Sequence, residues 1–154
     1  MKIALGSDHG GFELKQVVLR CLQDLGADIE SVGCHDCNSV DYPDFAEKVC
    51  ALVKSEVCER GILICGTGIG MSIAANRQRE IRAALCHEAF TARMSREHNN
   101  ANVLTLGGPL HTPDELCQMS KVWLETRFAG GRHWPRTSAG YRAPLPQPGK
   151  RHRR

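Results

Sequence analysis

The residues best suited to chemistry lie within residues 61–77, GILICGTGIGMSIAANR. Ile62, Leu63 and Ile64 form an apolar run too short for a helix, and it stops at Cys65 before a glycine-rich turn, the pattern of a buried parallel strand. Gly66, Thr67, Gly68, Ile69 and Gly70 follow, and then residues 71–77, where Met71, Ile73 and Ala74 are expected to line one face of a helix beginning near Gly70. Strand, glycine loop and helix start turn backbone N–H groups and the positive end of a helix dipole toward one space, which suits an anion. A thiol at the entrance of that space gains from it, because such donors favour the thiolate, and an unperturbed thiol already ionises at about pH 8.5. Cys65 is thereby a candidate base or nucleophile; the competing reading makes it a small apolar core residue, the commonest fate of a free cysteine. From Gly66 the loop reads GTGIGM, without the third glycine of GxGxxG, and no GK[ST] follows, which disfavours a nucleotide cradle.

The elements that must position this loop alternate along the chain. Lys2–Ser7 is a short apolar strand, followed by Asp8, His9, Gly10 and Gly11 and a helix with Phe12, Val17, Val18, Cys21, Leu22 and Leu25 on its apolar side, stopped by Gly26. Residues 27–33 alternate Ile29 and Val32 with polar residues as a second strand near an edge. Beyond a polar loop, Asp41 caps a helix carrying Phe45, Val49, Leu52 and Val53. Residues 81–86 and 102–106 are further strands, with a short helix over 88–97 between them. Thr112, Pro113 and Glu115 spell a capped helix start before Leu116, Met119, Val122, Trp123 and Phe128. Five strands alternating with five helices imply a mainly parallel sheet covered on both faces.

Parallel strands bring their C-terminal ends to one edge, where open α/β sheets bind ligands. Asp8 and His9, Cys65 with its glycine loop, and His87 all fall there. Residues 96–100, REHNN, precede the fifth strand and are not bound to that edge of their own subunit; His98 and Asn99 there equally suit a helix cap. Residues 130–136, GGRHWPR, read as a loop offering Arg132, His133 and Arg136, and arginines are well shaped for phosphate, although a solvated loop has the same composition.

The 154 residues, 42% of them hydrophobic, suit one domain, expected over residues 1–139. Without an apolar run near 18 residues or a signal-peptide pattern, the expectation is a cytoplasmic protein with no membrane partner. Eight cysteines spread along the chain, several at apolar-face positions, suit reduced core residues better than a disulfide framework. Cys34, His35 and Cys37 include a CxxC spacing, yet no second CxxC or HxxxH pair completes four ligands, so no metal is expected. The formal charge is +3, but five of the 20 basic residues lie in residues 140–154, which contain no acid. That leaves 15 basic against 17 acidic residues in the body, so no nucleic-acid partner is expected, and the basic, proline-rich 140–154 segment reads as a disordered tail.

Five blocks together resemble the ribose-5-phosphate isomerase B group, which includes allose 6-phosphate and galactose 6-phosphate isomerases: SDHGG near the start, DYPD at 41–44, ICGTGIGMSIAANR at 64–77, SREHNNANVLTLG at 95–107 and GGRHWPR at 130–136. The resemblance implies a Rossmann-like three-layer α/β/α sandwich with a five-stranded parallel sheet. It implies a homodimer or a dimer of dimers with active sites at the subunit interface, and no metal or organic cofactor. Residue by residue it makes Cys65 the base that moves a proton between the first two carbons of an open-chain sugar phosphate, with Thr67 and the N–H groups of residues 66–70 holding the developing oxyanion. His98 resembles the group that opens the furanose ring. Asp8 and Tyr42 would hold hydroxyls, His9, Arg132 and Arg136 the phosphate, and Asn99 and His133 would complete the substrate site. One position departs from the group's pattern: an arginine often follows the glycine pair that ends the fifth strand, and here Pro109 follows Gly107 and Gly108. The expected reaction is the interconversion of ribose 5-phosphate and ribulose 5-phosphate, with another tetrose, allose or galactose phosphate isomerase, or a noncatalytic sugar-phosphate sensor, as alternatives.

Overall fold

The structure, a computed structural model, describes residues 1–33 and 41–142. The Cys34, His35 and Cys37 loop and the tail beyond Arg142 lie outside the described residues. Five strands, β1 (Lys2–Ser7), β2 (Asp28–Gly33), β3 (Arg60–Cys65), β4 (Ala83–Leu85) and β5 (Val103–Gly107), form one sheet in the order β2-β1-β3-β5-β4. Every pairing is parallel, with Ser7 opposite Ile64 and Cys65 opposite Gly107.

Side chains of a strand alternate between the two faces, so an apolar run such as Ile62, Leu63 and Ile64 needs cover on both. Leu63 and Ala4 pack under α2 (Tyr42–Lys54) and α3 (Ile69–Asn76), through Val49, Cys50, Val53, Met71 and Ala75. Ile62, Ile64, Ile3 and Leu5 pack under α1 (Phe12–Asp24), α4 (Ala89–Glu97) and α5 (Pro113–Glu125), through Val18, Leu22, Ala92, Leu116 and Trp123. The result is the three-layer sandwich expected from the sequence. The half-exposed β2 is an edge strand, also as expected.

Local signals hold unevenly. The capping box forms, with the Glu115 N–H donated to Thr112 Oγ1 at 3.2 Å and the Thr112 N–H to Glu115 Oε2 at 2.9 Å. Asp41 occupies the N-cap of α2 but makes no side-chain capping bond. The buried face of α3 is Met71 and Ala75, one i to i+4 step, while Ile73 is 57% exposed, so the expected Met71, Ile73 and Ala74 face is corrected.

Two larger corrections follow from packing. The expected loop at residues 130–136 enters a sixth helix, α6 (His133–Arg142), which also crosses the expected start of the tail at residue 140. Gly130 and Gly131 take left-handed φ values of 64° and 54°, Pro135 falls in the first turn where its missing N–H has no helical partner to lose, and the Thr137 hydroxyl donates to the carbonyls of His133 and Trp134. Cys21 of α1 and Cys117 of α5 form a disulfide, against the expectation of reduced cysteines throughout. They are 96 residues apart and meet only because α1 and α5 lie side by side; Cys50, Cys58, Cys65 and Cys86 are free and buried. Among the described residues no helix is long and apolar enough to cross a membrane.

A covalent tie across a 96-residue span restricts the unfolded chain. Reduction with dithiothreitol, or Cys21→Ser, is expected to lower unfolding free energy by about 2–4 kcal/mol. The check is a fall in the urea midpoint; an unmoved midpoint would mean that the pair does not constrain the unfolded state.

Candidate active site

At the C-terminal edge of the sheet the backbone segments approach closely. The Asp8 N–H donates to the Ile64 carbonyl at 3.3 Å, and Asp8 Oδ1 accepts from the Gly11 N–H at 3.2 Å, which fixes the buried carboxylate at the start of a 3-10 turn over His9–Gly11. A Cβ on Gly10 would stand 3.3 Å from the Gly66 nitrogen, so the turn after β1 lies directly against the glycine loop after β3. Gly68 is required at its position. Its φ is +78°, and a Cβ there would come within 2.6 Å of Leu85 and 2.9 Å of the Leu106 carbonyl carbon.

This turn returns the Gly68 N–H to Cys65 Sγ at 3.0 Å. The Ile69 N–H goes to Thr67 Oγ1 at 3.2 Å. Two of the five N–H groups expected to face an anion therefore have internal partners. The thiol's surroundings differ from those of its neighbours in the core. Burial pushes the Cys50 thiol up to about 11 and also raises Cys58 and Cys86, so those three stay protonated at neutral pH. Cys65 is also buried, at 5% exposure, and stands at the mouth of the loop, where the Gly68 N–H meets its sulfur.

Tyr42, the first residue of α2, lays its ring over Gly70, where a Cβ would fall 2.8 Å from the phenol carbon. Thr67, Ile69 and Tyr42 are exposed. The structure thus brings together Asp8, His9, Tyr42, Cys65, Gly66, Thr67, Gly68, Ile69 and Gly70. His87 ends at the same edge, beside a residue that the sequence reading missed: its ring centroid is 5.9 Å from that of His111. The His111 side chain is 8% exposed, with Nδ1 3.4 Å from the Glu115 carboxylate and a buried Nε2 that has no partner among the described residues. Pro109 lies in the 3-10 turn Gly108–Leu110, which packs on the His9–Gly11 turn.

The remaining expected site residues stand elsewhere. His98 is the C-cap of α4, and α4 runs back from the C-terminal edge, so its end lies at the opposite edge. The carbonyls of Trp123 and Leu124 at the end of α5 are there as well, 3.0 Å from the guanidinium of Arg60 at the start of β3. The chain leaving α5 is tied to α4 by the Ala129 N–H donated to the Glu97 carbonyl at 2.9 Å. This sets the His133 ring on His98, with centroids 4.3 Å apart and planes 13° from parallel. Partial desolvation, then the charges of His98, Arg132 and Arg136, hold His133 below the usual histidine range. Arg132 and Arg136 are exposed, and Asn99 lines a shallow cavity with Asn76, Arg82 and Ser95. His98, His133, Arg132 and Arg136 therefore form a cluster, with Arg132 and Arg136 its cations, separated from Cys65 by the length of a strand, roughly 17–20 Å. Among the described residues no group of three or more His, Cys, Asp or Glu side chains is arranged to hold a metal.

A family model described as ribose/galactose isomerase matches residues 3–139. Ribose-5-phosphate isomerase B of Escherichia coli K12 is 40% identical over 138 residues, covering 90% of this chain and 93% of that protein. Ribose-5-phosphate isomerase B of Clostridium thermocellum superposes with a TM-score of 0.88 at 50% identity, covering 90% of this chain and 94% of that one. The Thermotoga maritima ribose 5-phosphate isomerase gives 0.89 at 48% identity, covering 91% and 97%. A match across nearly the whole of both chains, at identities far above what fold alone requires, means that the chain belongs to the ribose/galactose isomerase family.

Proposed function

We propose that the chain is an aldose–ketose isomerase that interconverts ribose 5-phosphate and ribulose 5-phosphate. The observation that carries this reading is the thiol of Cys65 with the Gly68 N–H at its sulfur, set beside Asp8 at a sheet edge whose loops suit an oxyanion. Cys65 takes the proton from C2 of the open-chain aldose and the electrons shift to the C1 carbonyl oxygen; in the resulting cis-enediolate the hydroxyl proton passes from O2 to O1, and C1 then takes the proton back from Cys65 as the C2 carbonyl forms. Negative charge develops on the former carbonyl oxygen. The Thr67 hydroxyl and the N–H groups of Gly66, Thr67 and Gly70 are suited to hold it, since those of Gly68 and Ile69 serve Cys65 and Thr67. Asp8 and Tyr42 bind hydroxyls, and His9 the phosphate.

The active form in this reading is a homodimer, or a pair of dimers, with each site built from two subunits. A single chain carries its histidine–arginine cluster a strand length from its own thiol, and Ile69, Ile73, Tyr42 and Phe90 leave apolar surface exposed on the helices beside the loop. Across a two-fold interface the neighbour's cluster faces the glycine loop, and the same contact occurs twice. His98 then moves the proton between the anomeric hydroxyl and the ring oxygen to open the furanose, His133 and Asn99 line the site, and Arg132 and Arg136 grip the phosphate. We place the protein in the cytoplasm, in keeping with four free, buried cysteines; the Cys21–Cys117 pair is the feature that stands against a fully reduced chain.

Conversion of ribose 5-phosphate by the purified protein tests the reaction directly. Cys65→Ala is expected to lower kcat by roughly 10²- to 10⁴-fold with the fold intact. A variant that keeps near-normal turnover removes the thiol from the role of base.

Arg132→Ala and Arg136→Ala are each expected to raise KM by about 10- to 100-fold with little change in kcat, since each removes a charged hydrogen bond to a non-reacting group. Initial-rate kinetics decide it, and unchanged KM in both variants rejects the phosphate grip.

Mixing inactive Cys65→Ala with inactive His98→Asn after unfolding and refolding together is expected to restore roughly a quarter of the wild-type rate, from mixed dimers with one intact site. No recovery from a mixture shown to exchange subunits would place both residues in one chain's site.

A further inference from the structure

Arg96 sits in the last turn of α4 at 6% exposure, and among the described residues no carboxylate pairs with it. Its Nη1 donates to Asn100 Oδ1 at 3.0 Å and to the Ala101 carbonyl at 2.6 Å, and its Nε to the Thr126 carbonyl at 3.3 Å. The guanidinium lies 6.0 Å from the centre of the Trp123 ring, which Arg60 approaches at 5.5 Å. Burial, then repulsion from Arg60 and Arg82, pushes Arg96 down to about 10. A buried cation beside like charges destabilises a fold unless fixed acceptors offset its lost hydration. Here the acceptors belong to two separate stretches of chain, residues 100–101 and Thr126.

Those stretches meet around His98. The Asn100 N–H donates to the Arg96 carbonyl at 3.2 Å, and Asn100 takes a left-handed φ of 50°, so Arg96 holds the reversal that carries His98 through both its main chain and its side chain. Its Nε bond to Thr126 fixes the chain leaving α5, which three residues later donates Ala129 N–H to Glu97 and then delivers His133 onto His98. A lysine cannot span these acceptors, because it lacks the planar fork.

We infer that Arg96 is a positioning residue that sets His98 against the segment of Arg132, His133 and Arg136, so that ring opening depends on it while proton transfer at Cys65 does not. The inference rests on the ring-opening role proposed for His98. The two steps can be measured apart. Ribulose 5-phosphate has its C5 oxygen esterified and cannot close a five-membered ring onto C2, so exchange of its C1 proton with deuterium oxide needs the base alone; ribose 5-phosphate is held as a furanose and must first be opened.

At saturating substrate, Arg96→Lys is expected to lower kcat from ribose 5-phosphate about 10-fold or more while deuterium exchange into ribulose 5-phosphate stays within about threefold of wild type. His98→Asn should give the same split. Asn100→Gly, which keeps the left-handed backbone and removes one acceptor of Arg96, should give a smaller split in the same direction. Equal proportional losses in a folded Arg96→Lys, or full forward turnover, overturn the inference. So does an Arg96→Lys that fails to fold combined with an unchanged ratio in Asn100→Gly, which assigns Arg96 to stability alone. If His98→Asn itself lowers both rates in proportion, or the wild type exchanges no deuterium, the proposed reaction fails rather than the role of Arg96.

Discussion

The parallel pairing of β3 between β1 and β5 is the constraint from which the rest of the molecule follows. It aligns Ser7 with Ile64 and Cys65 with Gly107, so three chain reversals leave the sheet at one level. Little room remains between them, and the Cβ clearances at Gly10, Gly68 and Gly107 are all at or below 3.3 Å from backbone atoms of a neighbouring reversal. The crowding bends the loop after β3 until the Gly68 N–H reaches the sulfur of Cys65. A side chain at Gly68 would need both a disfavoured φ and the space of Leu85, so the thiol's environment is fixed by main chain rather than by a replaceable side chain.

The same topology explains why one chain carries two polar clusters at opposite edges of the sheet. Every crossover helix begins at the edge where the strands end and finishes at the opposite one, so residues on helix starts or strand ends collect at the first edge and helix ends at the second. Asp8, Tyr42 and Cys65 belong to the first set; His98 belongs to the second, and the segment after α5 joins it. The proposed reaction uses a ring-opening group, a base and a phosphate grip, and that separation is the reason each site is proposed to lie across a two-fold axis.

Much of this was legible in the sequence because it is periodic or local. Ile62, Leu63 and Ile64 gave the central strand, Thr112 and Glu115 the capping box, and Gly66, Gly68 and Gly70 the loop. What was not legible depends on contacts between distant residues. Cys21 and Cys117 meet through the packing of α1 on α5, and no spacing rule joins residues 96 apart. Residues 130–136 hold two glycines and a proline, the composition of a loop, and become a helix entry only because Thr137 and two left-handed glycines set the first turn. His111 gave no sign, since a lone histidine after a proline and a leucine has no pattern; only its burial beside Glu115 singles it out. Arg96 was visible merely as a charge in a helix, and its burial among carbonyls is a property of the fold.

Electrostatics links the two edges. The second edge gathers His98, Arg132, His133 and Arg136 with Glu97 as the acid 3.8 Å from His98 Nε2, whereas the first offers a thiol, the Asp8 carboxylate and a helix start. In the proposed two-subunit site a dianionic phosphate between such edges would be attracted to the arginines of one and the N–H groups of the other. Pro109 sharpens the point. The turn that packs on His9 presents no cation at that position, so in the proposed site the phosphate grip rests on Arg132 and Arg136 and on the geometry that delivers them. The buried charge of Arg96, unfavourable for stability by itself, stands where that delivery is set.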